Sequence, residues 1–199
     1  MARFSFKLVL CVLVAFAAGL AYLALRSSDP IYTVYEWISP ARFQQYNKLI
    51  VSAANDNHLD PMLLKAVVWQ ESHFDANKYG TAGERGLMQI RDKAADEWAR
   101  DRKIDNFQPD QLFDPRTNLD AGAWYLHRAL EHWQAQPDPV AFALAEYNAG
   151  ASRAQRWAGA ETIAISKTEF LRQIDFPATR KYVESIIERY HFYKRRGKM

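Results

Sequence analysis

One carboxylate in this sequence lies where its helix should be apolar. Asp60 and Pro61 predict a helix start, because aspartate caps the first turn and proline fits the first helical position. Leu64 and Val68 then follow with the spacing of a core-facing stripe, and Glu71 is the next member of that stripe. An ionised carboxylate there is unfavourable unless it is paired or its pKa rises until it holds a proton. A carboxyl group protonated near neutral pH can act as a general acid, whereas the alternative is that Glu71 points to water at the helix end.

A glycine-rich segment follows this helix directly. Between Phe74 and Gly86 the chain contains Gly80 and Gly83 as well, with polar residues between them. Glycines spaced so closely indicate tight turns or a close approach of the backbone to a ligand. We therefore expect Glu71 to lie at the edge of a cleft.

The chain after its N-terminal segment is predicted to be helical almost throughout. No segment shows the sustained two-residue alternation that would predict a sheet, so the expected fold class is all-α with one globular domain. The apolar face of the first capped helix continues to Ala54, and a last helix is predicted from about Ala178. A proline follows a capping residue at four predicted helix starts: Pro40, Pro61, Pro115 and Pro139.

The N-terminal segment is strongly apolar. Leu8 to Leu25 are eighteen consecutive residues without a charge, preceded by Arg3 and Lys7 and followed by Arg26. This length is at the short end for a membrane-spanning helix and too long for the apolar core of a typical signal peptide. We therefore expect an uncleaved signal anchor at residues 1–26, with a cleaved signal peptide and a buried core helix as alternatives.

The basic residues around this segment predict its orientation. Two of them and the amino terminus precede the apolar run, and one follows it, so the N-terminus is expected in the cytoplasm. The sequence thus predicts a single-pass protein of the inner membrane. Residues 27–39 would form a linker, and residues 40–199 would form a domain in the periplasm.

Charge and cysteine content exclude several function classes. Three of the 26 basic residues flank the N-terminal apolar run, so the other 23 equal the 23 acids, and nucleic acid is not an expected partner. The single cysteine, Cys11, lies inside the apolar run and can form no disulfide within the chain. The five histidines show no metal-binding spacing, so neither a metal nor another cofactor is expected.

Three sequence blocks carry a resemblance to a known family. The blocks are Glu71-Ser72 with Phe74, residues 83–90 reading Gly-Glu-Arg-Gly-Leu-Met-Gln-Ile, and residues 145–150 reading Ala-Glu-Tyr-Asn-Ala-Gly followed by Trp157. In this order they resemble the catalytic domain of the soluble-type (SLT) lytic transglycosylases, relatives of goose-type lysozyme, over roughly residues 43–190. The resemblance implies a lysozyme-like helical domain at residues 40–199.

The resemblance implies a specific reaction on the glycan strands of peptidoglycan. Such enzymes cleave the β-1,4 bond between N-acetylmuramic acid and N-acetylglucosamine and form a 1,6-anhydromuramic end. One carboxyl group suffices, because the attacking oxygen belongs to the substrate. Glu71 would first protonate the leaving oxygen and then accept a proton from the muramic acid O6.

The resemblance also implies a set of substrate-binding residues. Gln89 and Asn148 would hydrogen-bond acetamido or hydroxyl groups of the sugar, Met88 and Tyr147 would line the subsite around it, and Tyr182 would lie near the acid. Core packing is the alternative for Met88, Tyr147 and Tyr182, and a cap or turn is the alternative for Gln89 and Asn148.

The sequence departs from the family pattern at three positions. Gly80 stands where the family often has serine, Glu84 where it usually has alanine, and Ala178 where it often has glutamate. Glu84 and Glu146 are extra acids, which we expect to be solvated or paired, with Arg85 as a candidate partner of Glu84. Two other functions stay open: a goose-type-like hydrolase that uses a second carboxylate, and a peptidoglycan-binding protein without catalysis.

Overall fold

The computed structural model describes residues 6–25, 30–159 and 164–197, and within these residues the chain is almost entirely helical. It forms α1 (Phe6–Leu25), α2 (Pro30–Ile38), α3 (Pro40–Gln44), α4 (Asn47–Asp56), α5 (Pro61–Ser72), α6 (Asp92–Asp101), a 3-10 helix (Pro109–Phe113), α7 (Pro115–His132), α8 (Pro139–Ala149), α9 (Ala151–Ala158), α10 (Lys167–Gln173) and α11 (Pro177–Arg196). The described residues pair otherwise only in isolated β-bridges. The predicted all-α fold class is confirmed.

The capped prolines mark helix starts as predicted. The helices α3, α5, α7 and α8 all begin at a proline. In α5 the Asp60 carboxylate accepts from the Met62 amide at 2.8 Å, and in α7 the Asp114 carboxylate accepts from the Thr117 amide at 2.9 Å. The helix predicted from Pro40 to Ala54 is instead two helices, because a turn interrupts it between α3 and α4. The apolar periodicity continues across this short turn, so it could not reveal the break.

The chain divides into two compact units, residues 1–43 and 44–199. In the first unit α1 packs on α2, which occupies most of the predicted linker. Arg3 and residues 26–29, which belong to the predicted anchor and linker, lie outside the described residues.

The predicted membrane location is wrong. A membrane span needs about 20 predominantly apolar residues in one helix. None of the helices in the described ranges is both long and apolar enough to cross a membrane. This finding leaves the single-span anchor unsupported, and it contradicts the predicted single-pass location in the inner membrane with a periplasmic domain.

The second unit is built around α5. Leu64, Val67 and Val68 have no exposed surface, as the predicted stripe requires. Burial extends further around the helix, to Ala66 and Trp69, because α4 and α11 both pack against it. Since α5 is central, the side chains of its last turn reach the functional region from inside the domain.

Aromatic contacts hold the neighbouring helices in place. The Arg189 guanidinium of α11 lies 3.8 Å from the ring centroid of Trp69 in α5. Phe142 of α8 stacks on Phe170 of α10 with 3.9 Å between ring centroids. The helix α8 also packs on α7, α9 and α11. The three helices α5, α8 and α11 are thereby fixed relative to one another.

The glycine-rich segment after α5 is an irregular loop closed by two bridges. Arg85 pairs in antiparallel fashion with Tyr79 and with Ile90. Gly86 has a φ of 75°, and a Cβ atom there would lie 2.4 Å from the Leu112 carbonyl oxygen. This position therefore requires glycine both for its backbone conformation and for the close approach of the segment before α7.

Candidate active site

A cleft of about 490 Å³ lies over the C-terminal end of α5. Of the residues predicted from the sequence, the structure brings five to its walls from four different parts of the second unit. They are Glu71 of α5, Gln89 of the loop, Tyr147 and Asn148 of α8, and Tyr182 of α11.

Glu71 is partly buried and is held from two sides. The Tyr182 hydroxyl donates to its Oε1 at 2.6 Å, and the Lys78 ammonium donates to its backbone carbonyl. Burial raises the pKa of Glu71 to about 7, against the opposing effects of the Tyr182 hydrogen bond and the Lys78 charge, while the Glu84 charge adds to the rise. Near neutral pH this carboxyl group therefore exists in both protonation states.

The two tyrosines of the cleft remain protonated. Burial, together with the nearby Glu71 charge, holds the pKa of both Tyr147 and Tyr182 well above its usual range. Tyr182 is 7% exposed and directs its hydroxyl at the acid. Tyr147 donates to the Met88 carbonyl at 2.9 Å and packs edge-on against Tyr125, so its ring forms part of the cleft wall.

Met88 lies beneath the cleft surface. Its side chain has no exposed surface and packs against Gly122 of α7, where a Cβ atom would lie 2.3 Å from the Met88 sulfur. Its backbone links two other parts of the site, because the amide donates to Asn118 at 2.7 Å and the carbonyl accepts from Tyr147. Core packing, the alternative considered for this residue, thus describes its side chain.

Gln89 has a strained backbone at the cleft. Its φ is 48°, which is uncommon for a residue other than glycine. Its side-chain amide donates to the carbonyls of Lys78 at 3.1 Å and Gly86 at 3.0 Å. These bonds occupy both amide hydrogens, so the group that Gln89 can still offer to a ligand is its carbonyl oxygen.

Asn148 offers the opposite chemistry. Its Oδ1 accepts from the Thr179 hydroxyl at 2.7 Å, and Thr179 is buried at the start of α11. The side chain of Asn148 is exposed in the cleft. With its oxygen engaged, the amide group of Asn148 is the part that can donate to a ligand.

Asn118 is a structural residue of the site whose role the sequence analysis missed. It is fully buried, accepts from the Met88 amide at 2.7 Å, and donates at 2.8 Å to the carbonyls of both Arg85 and Leu112. The Asn118 side chain thus attaches the loop that contains Gln89 to α7. The sequence did not show what this side chain bonds, because two of its three partners lie about 30 positions away along the chain.

Glu84 lies in the cleft and is paired, although not with the predicted partner. The Arg91 guanidinium donates to Glu84 Oε1 with an Nε to oxygen distance of 2.9 Å, whereas Arg85 pairs with Asp92. Glu84 lines the cleft, whereas Arg85, its neighbour in the chain, is not among the residues that line it. The pairing with Arg91 helps to hold the pKa of Glu84 below its usual range even though burial acts in the opposite direction.

Glu146 lies outside the cleft. Its Oε2 accepts from the Trp133 indole and lies beside His132 Nδ1, each at 2.7 Å. It lines an adjoining pocket with Tyr125 and Arg153. Glu146 is therefore paired, in agreement with one of the two environments expected from the sequence.

The family follows from a comparison of the sequence with known families. Residues 48–169, more than half of the chain, match the family described as the transglycosylase SLT domain. The chain belongs to this family. The resemblance drawn from the three sequence blocks is confirmed.

Relatives of this SLT-domain chain include much longer proteins. The soluble lytic murein transglycosylase of Salmonella typhimurium is 29% identical over 150 residues, which are 75% of this chain and 23% of the relative. The lytic transglycosylase Slt of Pseudomonas aeruginosa, solved as an inactive mutant with glutamine in place of one glutamate, has a TM-score of 0.70 and 26% identity over 77% of this chain and 24% of that chain. This chain spans about a quarter of the length of these proteins.

A third SLT-domain neighbour was solved with a ligand. A 70-kDa soluble lytic transglycosylase in complex with bulgecin A has a TM-score of 0.71 and 27% identity, covering 78% of this chain and 25% of that chain. The chain therefore contains the fold of the SLT lytic transglycosylases, which confirms the predicted lysozyme-like helical fold.

Proposed function

We propose that this chain is a peptidoglycan lytic transglycosylase with Glu71 as its single general acid and base, in a catalytic domain at residues 40–199. The observation that carries the proposal is a glutamate in the cleft with a pKa of about 7 and a tyrosine hydroxyl at 2.6 Å. Membership of the SLT family and relatives named as lytic murein transglycosylases support it. The inactive Glu-to-Gln mutant of the Pseudomonas enzyme shows that a glutamate matters in that relative.

The environment of Glu71 suits both halves of the reaction. In the protonated form it donates to the oxygen of the β-1,4 bond, which breaks and leaves positive charge on the muramic acid ring. The carboxylate, now ionised, is stabilised by the Tyr182 hydroxyl. It then takes the proton from the muramic acid O6 as that oxygen attacks the anomeric carbon, so the acid regains its starting state and no water is consumed. A pKa near the working pH makes both transfers favourable.

The other cleft residues supply complementary hydrogen bonds. Asn148 presents its amide as a donor for carbonyl or hydroxyl oxygens of the glycan, and Gln89 presents its carbonyl oxygen as an acceptor. The Tyr147 ring offers an apolar surface to a sugar face. The Met88 carbonyl accepts the hydrogen bond from the Tyr147 hydroxyl and so helps to hold the ring in place. Tyr182 acts directly on Glu71.

Tyr182→Phe is expected to move the pH dependence of activity upward. The variant keeps the ring but loses the hydroxyl that donates to Glu71 and lowers its pKa. The pKa of Glu71 then rises further above about 7. In a plot of kcat/KM against pH, the variant should stay active to higher pH than the wild type, because its Glu71 stays protonated to higher pH. If kcat/KM, measured on purified peptidoglycan, declined at the same pH in the variant and in the wild type, this hydroxyl would not control the pKa of Glu71.

A hydrolytic function is the second candidate, because Glu84 is a second carboxylate in the same cleft. Lysozyme-like hydrolysis uses two carboxyl groups, one as acid and one to stabilise charge or activate water. Glu84 is instead tied to the Arg91 guanidinium and to the Ala82 amide. These bonds engage both of its oxygens, which favours the transglycosylase.

Mass spectrometry of digested peptidoglycan separates these functions. The full chain and its Glu71→Gln variant are incubated with purified sacculi, and the soluble fragments are weighed. A transglycosylase gives fragments one water lighter than those of a lysozyme, and the variant gives none. Reducing-end fragments would support the hydrolase. Binding to sacculi without products from either protein would support a binding protein.

A further inference from the structure

A charged side chain fills the space above a glycine at the wall of the cleft. A Cβ atom at Gly80 would lie 2.3 Å from Glu84 Oε2 and 3.0 Å from Gln89 Oε1. The absence of a side chain at Gly80 is therefore what admits the Glu84 carboxylate to this place.

The carboxylate is fixed rather than free to swing into water. Its Oε2 accepts from the Ala82 amide at 3.0 Å, and its Oε1 accepts from Arg91 Nε at 2.9 Å. The Glu84 side chain is 19% exposed, whereas that of Arg91, which also lines the cleft, is 63% exposed. The negative charge therefore lies at the cleft wall, and the positive charge that neutralises it is better screened by water.

Glu71 shares the cleft with this fixed charge. A negative charge near a carboxyl group disfavours its ionisation, and the effect is greater where water is excluded. The Glu84 charge does raise the pKa of Glu71. The other ionisable side chains that line the cleft are three cations and three tyrosines: Lys78, Arg91, Arg153, Tyr125, Tyr147 and Tyr182.

These cations would favour the ionised acid. The Lys78 ammonium binds the backbone carbonyl of Glu71, so a positive charge lies close to the acid. The tyrosines are protonated and add hydrogen bonds but no charge. Among the groups that line the cleft with Glu71, Glu84 is the one whose charge opposes that of Lys78.

We propose that Glu84, held by Arg91 and admitted by Gly80, is a positioning residue whose charge adds to the effect of burial in keeping Glu71 protonated in the substrate-free enzyme. The inference rests on the proposed function and deepens it, because it names a cleft residue whose charge, in addition to burial, acts against that of the lysine beside the acid. Glu84 itself takes no part in bond cleavage.

The test is the pH dependence of a charge-removing variant. Glu84→Gln keeps the size of the side chain and an oxygen that can accept from the Ala82 amide, but it removes the charge. The pKa of Glu71 should fall, so the acid loses its proton at lower pH. We expect kcat/KM on peptidoglycan to be about twofold to threefold lower near pH 8 and nearly unchanged near pH 5.

One further variant controls for unrelated effects. Glu131→Gln removes a carboxylate that is 63% exposed and pairs with His127 on α7, outside the cleft lining, and it should leave the pH profile unchanged. A shift of the Glu131→Gln profile equal to that of Glu84→Gln would overturn the proposal, because loss of any carboxylate would then have the same effect.

A direct titration of Glu71 makes the test independent of turnover. Carbon-13 labelling of glutamate carboxyl groups, with assignment by loss of one signal in Glu71→Gln, reports the pKa of Glu71 by NMR. A lower pKa in Glu84→Gln supports the proposal even if the products prove hydrolytic, in which case the proposed function alone fails. An unchanged pKa, or activity lost at every pH in Glu84→Gln, would overturn the positioning role.

Discussion

Glu71→Gln is expected to lower kcat/KM on peptidoglycan by about 10³-fold or more, because it removes the only proposed proton donor. Glutamine has the size of glutamate, and its side-chain oxygen can still accept from the Tyr182 hydroxyl. It cannot protonate the leaving oxygen or take the proton from O6. Release of soluble fragments from labelled sacculi measures the loss. Activity within about tenfold of the wild type would contradict the role of Glu71.

The same variant carries an internal control for folding. The pKa of Glu71 is raised from 4.5 to about 7 by burial, so the folded protein binds this proton more tightly than the unfolded chain does. Ionisation of Glu71 therefore costs stability progressively as the pH rises from about 4.5 to about 7, and the full cost is present above that range. Glu71→Gln removes this cost. The free energy of unfolding of the variant should therefore exceed that of the wild type by on the order of 2 kcal/mol near pH 8 and equal it near pH 4. A variant that is inactive because it is misfolded would instead be less stable than the wild type at both pH values.

Asn118→Ala is expected to destabilise the second unit by about 3 kcal/mol or more and to reduce turnover at the same time. The substitution deletes a fully buried side chain and leaves the Met88 amide and the carbonyls of Arg85 and Leu112 without this partner. The loop that carries Gln89 then loses its attachment to α7. Denaturant unfolding and turnover, measured on the same preparation, test both effects.

Asn55→Ala is the matched control for this substitution. Asn55 is exposed in the last turn of α4, so the same chemical change there should alter stability by about 0.5 kcal/mol or less. If Asn118→Ala were no more destabilising than Asn55→Ala, the three hydrogen bonds would not hold the loop. If it were destabilising but fully active at low temperature, the loop would keep its shape without them.

The sequence was sufficient for features that depend on local rules. Pro61 and Asp60 start α5 because capping and the missing proline amide are local effects, and the apolar spacing then places Glu71 at the end of a buried helix. The residues of the three blocks that resemble the family were predicted to meet, and Glu71, Gln89 and Tyr147 do line one cleft.

Features that depend on tertiary contacts could not be predicted in this way. Arg91 rather than Arg85 pairs with Glu84, and this contact joins residues seven positions apart that are not in the same helix. Thr179 orients Asn148 across 31 positions of sequence, and no local pattern encodes such a contact. The burial of Met88 likewise depends on Gly122, which belongs to α7.

The most direct test of the central claim is digestion of peptidoglycan by the full chain in water enriched in oxygen-18, with a hydrolysing lysozyme in parallel. If the muramic acid O6 is the nucleophile, the products have anhydro ends and contain no heavy oxygen, while the lysozyme products gain one. Incorporation of one oxygen-18 at each new end would contradict the account, because water would then be the nucleophile and the cleft would need a second carboxylate in its chemistry.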